Sequence, residues 1–454
     1  MIRQRFTALL VAIALAASAA AAESRIPNSE SRDDATISHV LNRLTFGARP
    51  GDVERVGAIG LAAWIDQQVH PARIDDHAAE AMLPSLEHPP DAADQQELRR
   101  FARRQVETLA AEKLLRAMYS ERQLQEVLVD FWFNHFNVYA AKGRTAMYLP
   151  EYERDVIRPH VFDRFRDLLG ADAKSPAMLF YLDNWMSAGP EQESGIRDQG
   201  SRALRRRRGR GLNENYGREL LELHTLGVDG GYTQKDVIEV ARAFTGWTID
   251  RDGGFRFVPA LHDAGEKIVL GHTIKAGGGM DDGEQVLDIV ASHPATAHHV
   301  AFELAQRLVA DDPPPALVDR AAARFRDTKG DLREVVKTIV TSPEFLAPAA
   351  RDAKFKTPFE LVVNAVRTTG AAVSDALAFV QTLQQLGEPL YMCQPPTGYK
   401  DTAEAWVSAG GLVTRMNFAT RLASGTMPGV TLPADAPPAR EIALKIGSPE
   451  FQRF

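Results

Sequence analysis

The chain has 454 residues, 44% hydrophobic and 25% charged, a balance that allows a sizeable buried core and excludes a disordered or fibrous protein. Acidic residues number 60 against 53 basic ones, which argues against a general nucleic-acid binder, since such proteins carry net basic character. Cys393 is the single cysteine, so no intramolecular disulfide can form and stability has to come from packing.

The first five residues carry Arg3 and Arg5 and no acid, and Phe6 to Ala22 is an alanine-rich apolar run ending in small residues. This pattern predicts a cleaved export signal over residues 1–22, a short linker over 23–35, and a periplasmic or secreted mature protein. The run is too short and too dilute for a stable membrane span, which wants about 20 strongly apolar residues. Because the signal contains two arginines and no acid, the mature chain keeps 51 basic against 60 acidic residues.

Apolar residues then recur at three- and four-residue steps through Asp52–Val69, Glu97–Tyr119, Glu121–Tyr139, Asn213–Leu226, Thr233–Thr245, His293–Ala310, Asp331–Thr341 and Pro358–Thr369. Each is predicted helical. Thr233 followed by Asp236 is an acidic variant of the capping box, Gly227 lies where a left-handed C-terminal residue is wanted, and Ser342-Pro343 ends the helix before it. Between these helices, residues 189–211 lack apolar periodicity and hold Arg202, Arg205 to Arg208 and Arg210. They predict a mobile surface loop, with contact to an anionic polymer as the functional alternative. Gly254–Val258 and Lys267–Leu270 predict one small hairpin. Four prolines between Pro428 and Pro438 predict an extended or loosely packed tail over 424–454. The chain therefore reads as mainly α, with a minor β-hairpin insertion.

The common catalytic signatures are missing: no G-x-S-x-G elbow, no H-E-x-x-H, no phosphate-binding glycine loop and no paired cysteines. No motif specifies a cofactor or metal. His298 and His299 adjoin on a helix and point about 100° apart, a poor arrangement for one metal. His262, Asp263 and His272 flank the predicted hairpin and form a candidate convergence of ligand-type residues, against ordinary loop polarity.

Two helices carry misplaced charge. Projection of Asn213–Leu226 puts Leu212, Tyr216, Leu220, Leu223 and Leu226 in one arc with Glu219 inside it. Glu222 and Asn215 fall at one edge, His224 and Asn213 at the other, and Glu214 and Arg218 face outward. The same projection of Glu121–Tyr139 sets His135 among Leu124, Leu128, Phe131 and Val138. A buried imidazole must find a partner or change its charge state, and Glu219 is the natural candidate. The bland reading is a core ion pair. The functional one is a catalytic cluster of Glu219, His135, Glu222 and His224, with Asn134, Asn213, Asn215, Arg218, Trp247, His262 and Asp263 as candidate binding residues.

Six motifs occur in fixed order: His39-Val-Leu-Asn-Arg-Leu-Thr-Phe-Gly-Ala-Arg-Pro-Gly51, Phe131-Trp-Phe-Asn-His-Phe136, Asn213-Glu-Asn-Tyr-Gly-Arg-Glu-Leu-Leu-Glu-Leu-His-Thr-Leu-Gly227, Phe244-Thr-Gly-Trp247, Thr341-Ser-Pro-Glu-Phe345 and Pro395-Pro-Thr-Gly-Tyr399. On these the chain resembles the bacterial family called domain of unknown function 1800, over roughly residues 36–423. The resemblance implies a single large irregular multi-helix domain and an exported protein, often encoded beside a family similar to sulfatases. It implies a sulfatase-like exported partner and assigns no residue a role. Gly217 departs from the family pattern, which commonly has alanine there, and a mid-helix glycine costs about 1 kcal/mol. Two function classes follow: a binding or assembly factor acting with the sulfatase-like partner, or a hydrolase using the Glu/His cluster, with or without a metal. A purely structural role lacks support, as the chain has neither repeats nor fibrous composition.

Overall fold

A computed structural model describes residues 33–87, 94–190 and 211–454. The predicted export signal and the arginine run within 191–210 lie outside the described residues. The rest is mainly α-helical, with three small two-stranded antiparallel sheets.

In chain order the longer helices begin with α1 (Asp34–Leu44), capped by Asp33. The predicted Asp52–Val69 helix is split at Gly60, φ 91°, into α2 (Asp52–Ile59) and α3 (Leu61–Gln68). Then come α4 (Gln95–Tyr119) and α5 (Gln123–His135). The latter stops four residues short of the expected Tyr139, because Phe136 leaves the helical region at φ −97°, ψ 50°. Helices α6 (Phe165–Lys174) and α7 (Pro176–Tyr181) follow. Asn213 caps α8 (Glu214–Glu222), and the Thr233–Asp236 capping box starts α9 (Gln234–Ala243) as expected. Gly217 meets a packing need: a Cβ there would come 2.7 Å from the Val237 carbonyl oxygen of α9, so glycine lets the two helices approach closely at the cost of helix propensity.

The β insertion differs from expectation. Instead of one hairpin there are two: β1 (Trp247–Ile249) pairs with β2 (Phe255–Phe257), and β3 (Lys267–Val269) with β4 (His272–Ile274). The second closes through Leu270 and Gly271, both at positive φ, the mirror-image turn that suits a two-residue hairpin loop. Local turn chemistry outcompetes pairing between segments farther apart.

Helices α10 (Asp281–Ser292), α11 (Pro294–Leu308), α12 (Pro315–Asp327), α13 (Leu332–Val340) and α14 (Pro358–Thr369) continue the body. After β5 (Ala372–Val373) come α15 (Leu377–Leu386), α16 (Ala409–Ala423), β6 (Val430–Thr431, paired with β5) and α17 (Ala439–Gly447). The expected loose tail is thus docked. Ile442 and Ile446, four apart on α17, are buried, and the backbone of Phe454 exchanges two hydrogen bonds with Lys354. The prolines set the path to α17, while its apolar stripe supplies the docking. One contiguous apolar core runs from Ile37 to Ile446, with α5 enclosed by it: Trp132, Phe133 and Phe136 are all buried.

Candidate functional site

A cavity of about 170 Å³ opens where α4, α5 and α11 meet the segment 388–401. Among its lining residues is His135, the last residue of α5, with 3% of its side chain exposed. The Nδ1–H donates to Glu303 Oε2 on α11 at 2.6 Å, and the Nε2–H to the backbone carbonyl of His224 at 3.2 Å. Both ring nitrogens face acceptors, so both carry protons and the ring is an imidazolium. Burial opposes that charge, but Glu303 outweighs it and raises the affinity of His135 for its proton. The carboxyl of Glu303 also pays a desolvation penalty, yet His135 holds its pKa below the ordinary value.

The C-terminus of α8 completes the arrangement. After Glu222 the chain leaves the α-helix, and its last carbonyls have no intrahelical partner. His135 takes the carbonyl of His224, while His299 Nε2 lies 3.3 Å from that of Leu223. A helix C-terminus favours positive charge, which adds to the pull of Glu303.

The adjoining wall is an ion network. Asp130 of α5 sits between Lys113 Nζ at 2.8 Å and Arg307 Nη2 at 3.3 Å, and Arg307 also reaches Glu360 at 2.7 Å and Asp401 at 3.3 Å. Burial opposes the charge on Lys113, but Asp130 and Glu153 overcome it and raise its pKa. Glu388 behaves oppositely: burial, reinforced by Asp130, lifts its carboxyl to about 8. Two motifs of the sequence close the cavity together. The Asn134 side chain donates to the Tyr399 carbonyl and accepts from the Tyr399 N–H, both at 2.7 Å. Asn137 holds the carbonyls of Cys393 and Pro395 at 3.0 and 2.8 Å. Gly398 at φ 65° passes so close that a Cβ would lie 2.4 Å from the Asn134 carbonyl oxygen.

Of the residues expected to form a catalytic cluster, His135 is buried as anticipated, but its carboxylate is Glu303 rather than Glu219. Glu219 is half-buried on α8, where burial and then Glu222 raise its pKa. Glu222 accepts from the Tyr232 hydroxyl at 2.8 Å. Neither glutamate lines the cavity. His224 is buried 6.3 Å from His135, ring centre to ring centre. Burial and then the neighbouring positive charge of His135 depress its pKa to about 3, so it is neutral.

The candidate binding residues divide similarly. Asn134 belongs to the cavity. Asn213 caps α8 and donates to the Leu182 carbonyl at 2.6 Å, Asn215 is exposed, and Arg218 pairs with Gln234 at 2.7 Å. Trp247 is fully buried against Phe244 and Phe255. His262 and Asp263 serve the hairpins: His262 Nε2 lies 3.1 Å from Asp282, and Asp263 accepts from Arg242 at 2.8 Å. His272 is exposed at the β3–β4 turn, so the expected convergence with His262 and Asp263 does not form. Among the described residues no three His, Cys, Asp or Glu side chains are grouped to hold a metal ion, and no helix is long and apolar enough to cross a membrane.

The cavity residues that escaped notice in the sequence are Glu303, Asp130, Lys113, Arg307 and Glu388, while Tyr399 was marked only as the end of a motif. One signal was available. His299, Glu303 and Arg307 are spaced four apart in a predicted helix, which places a base, an acid and a base on one face.

The protein is thus of the mainly α class, with small two-stranded sheets beside its helices. The chain belongs to the family described as protein of unknown function (DUF1800), whose model matches residues 39–452. No curated protein and no solved structure matches it.

Proposed function

We propose that the chain is an exported binding protein whose cavity takes a neutral, hydroxyl-rich ligand of carbohydrate type. The observation that carries this reading is the balance of charge around the cavity. Lys113, His135, Arg307 and Lys400 face Asp130, Glu303 and Asp401, with the carboxyl of Glu388 held protonated beside them, and most of the charges are paired with one another rather than presented as a field of one sign. A strongly charged ligand gains little from such a wall. A sugar, whose hydroxyls both donate and accept, finds acceptors and donors side by side, and Phe131 and Tyr399 at the same cavity offer rings for its apolar face. His135 is unsuited to general-base work, because both nitrogens are already donating.

Export is part of this reading and rests on the N-terminal segment: the mature chain should begin within a few residues of Glu23. Action beside a sulfatase-like partner rests on the family resemblance. Binding is tested by titrating the mature protein with neutral, reducing-end-blocked homo-oligosaccharides of glucose, galactose, mannose, xylose and N-acetylglucosamine. Saturable binding to at least one series, lost on Gly398→Val with the fold intact by circular dichroism, is expected. No binding to any of the series overturns the reading.

A further inference from the structure

The cavity contains two carboxyl groups in contrasting surroundings. Glu303, on α11, has one oxygen fixed. Its Oε2 is tied to His135 at 2.6 Å, whereas Oε1 lies 3.6 Å from His299 Nε2, beyond hydrogen-bond reach. The Glu303 side chain is 30% exposed, and among the described residues no group donates a hydrogen bond to that second oxygen. Glu388, just past α15, is 8% exposed and its Oε2 accepts the Phe359 N–H at 2.7 Å. Both line the same space, and they come from different elements with different partners.

We propose that this cavity is hydrolytic, with Glu388 as proton donor to the leaving oxygen of a glycosidic bond and Glu303 as acceptor of a proton from the attacking water. The proposal rests on the carbohydrate reading of the cavity. In the step, the bond from the anomeric carbon to the bridging oxygen breaks, and its electron pair stays on that oxygen, which takes the proton of Glu388. The oxygen of water bonds to the anomeric carbon and loses a proton to Glu303. Water is the only co-reactant, and return of one proton from Glu303 to Glu388 through solvent resets the pair.

The environments suit these roles. An acid must be protonated at the working pH, and burial beside Asp130 keeps Glu388 so. A base must be ionised, and His135 keeps Glu303 so. Two carboxyl groups whose surroundings push their proton affinities apart are the pattern of acid and base partners. His135 is a positioning residue, holding one oxygen of Glu303 so that the other faces the cavity. Lys113 and Arg307 both pair with Asp130, which lines the cavity with Glu388.

The test uses the same blocked oligosaccharides and follows new reducing ends. The wild-type protein should hydrolyse the series that it binds, with an alkaline limb near pH 8 and an acid limb below about 4.5. Glu388→Gln should lower turnover at least about 100-fold while binding is retained. Glu303→Ala should lose turnover and recover part of it in added formate, which a merely structural role would not allow. Binding without any release of reducing ends between pH 4 and 9 overturns the hydrolytic proposal and leaves the binding reading standing. A wild-type profile without an alkaline limb also overturns it, even where a variant fails to fold. Absence of binding overturns the reading beneath it.

Discussion

Two charged clusters in this fold use the same residue types and differ in access to water. Near the hairpins, Lys267 and Asp282 are completely buried and 2.6 Å apart, with His262 3.1 Å from the same carboxylate oxygen. Lys267 also donates to the carbonyls of Asp263 and Gly265. Around the cavity, the Lys113–Asp130 pair is nearly as tight at 2.8 Å, but Asp130 is 21% exposed and Glu303 30%. The first cluster is sealed and spends all of its hydrogen-bonding capacity on the protein, apart from one oxygen of Asp282. The second keeps groups open to an occupant. Residue type does not separate a structural ion cluster from a site; accessibility does.

The comparison can be broken most forcefully at its sealed end. Lys267→Met should destabilise the fold by about 3–5 kcal/mol, because Asp282 would be left buried and uncompensated. Adding Asp282→Leu should recover much of the loss, measured by urea denaturation.

A smaller effect is expected at the open end. Glu303→Gln should cost about 1.5–3 kcal/mol at pH 6, the usual range for a hydrogen bond to a charged group. The sign with pH follows from His135. Its pKa is raised on folding, so its contribution is fully present below about 6.5 and fades as pH rises through the higher folded value. The cost of Glu303→Gln should therefore shrink toward pH 9. An NMR titration should find the His135 pKa lowered in the variant, since burial would then act without the opposing carboxylate; an unchanged value would break the assignment of the pair.

The smallest effect sets the baseline. Arg103 and Glu107 form an exposed pair four residues apart at 3.0 Å on α4, and Arg103→Ala should change stability by less than about 0.5 kcal/mol in thermal melts.

Helices were legible wherever apolar spacing and end signals agreed. Pro358–Thr369 has proline at its first position, a capping box and Gly370 beyond its end, and its bounds match the sequence reading. The burial of His135 was legible too, because helical phase reports which face is inward. Its partner was not. Phase says nothing of what lies opposite, and Glu303 is 168 residues away. Glu219 misled because α8 ends at Glu222, so the arc drawn through Leu223 and Leu226 extended past the helix that justified it. Trp247 and His262 read as site residues because aromatic and imidazole groups look alike in sequence whether they fill a core or a pocket. The tail was obscured by its prolines, although Ile442 and Ile446 already marked one side of a short helix.

The Asn134–Tyr399 clamp also bears on the order of folding. Its two halves are 265 residues apart in sequence, and contacts of such separation form late because the intervening chain must first lose its freedom. A chain delivered from its N-terminus would carry α5 and α11 for some time before the closing segment arrived. The cavity is then a product of nearly complete folding, and a molecule that occupies it stabilises only the finished protein. Refolding monitored by a cavity-bound probe should lag behind refolding monitored by helix content.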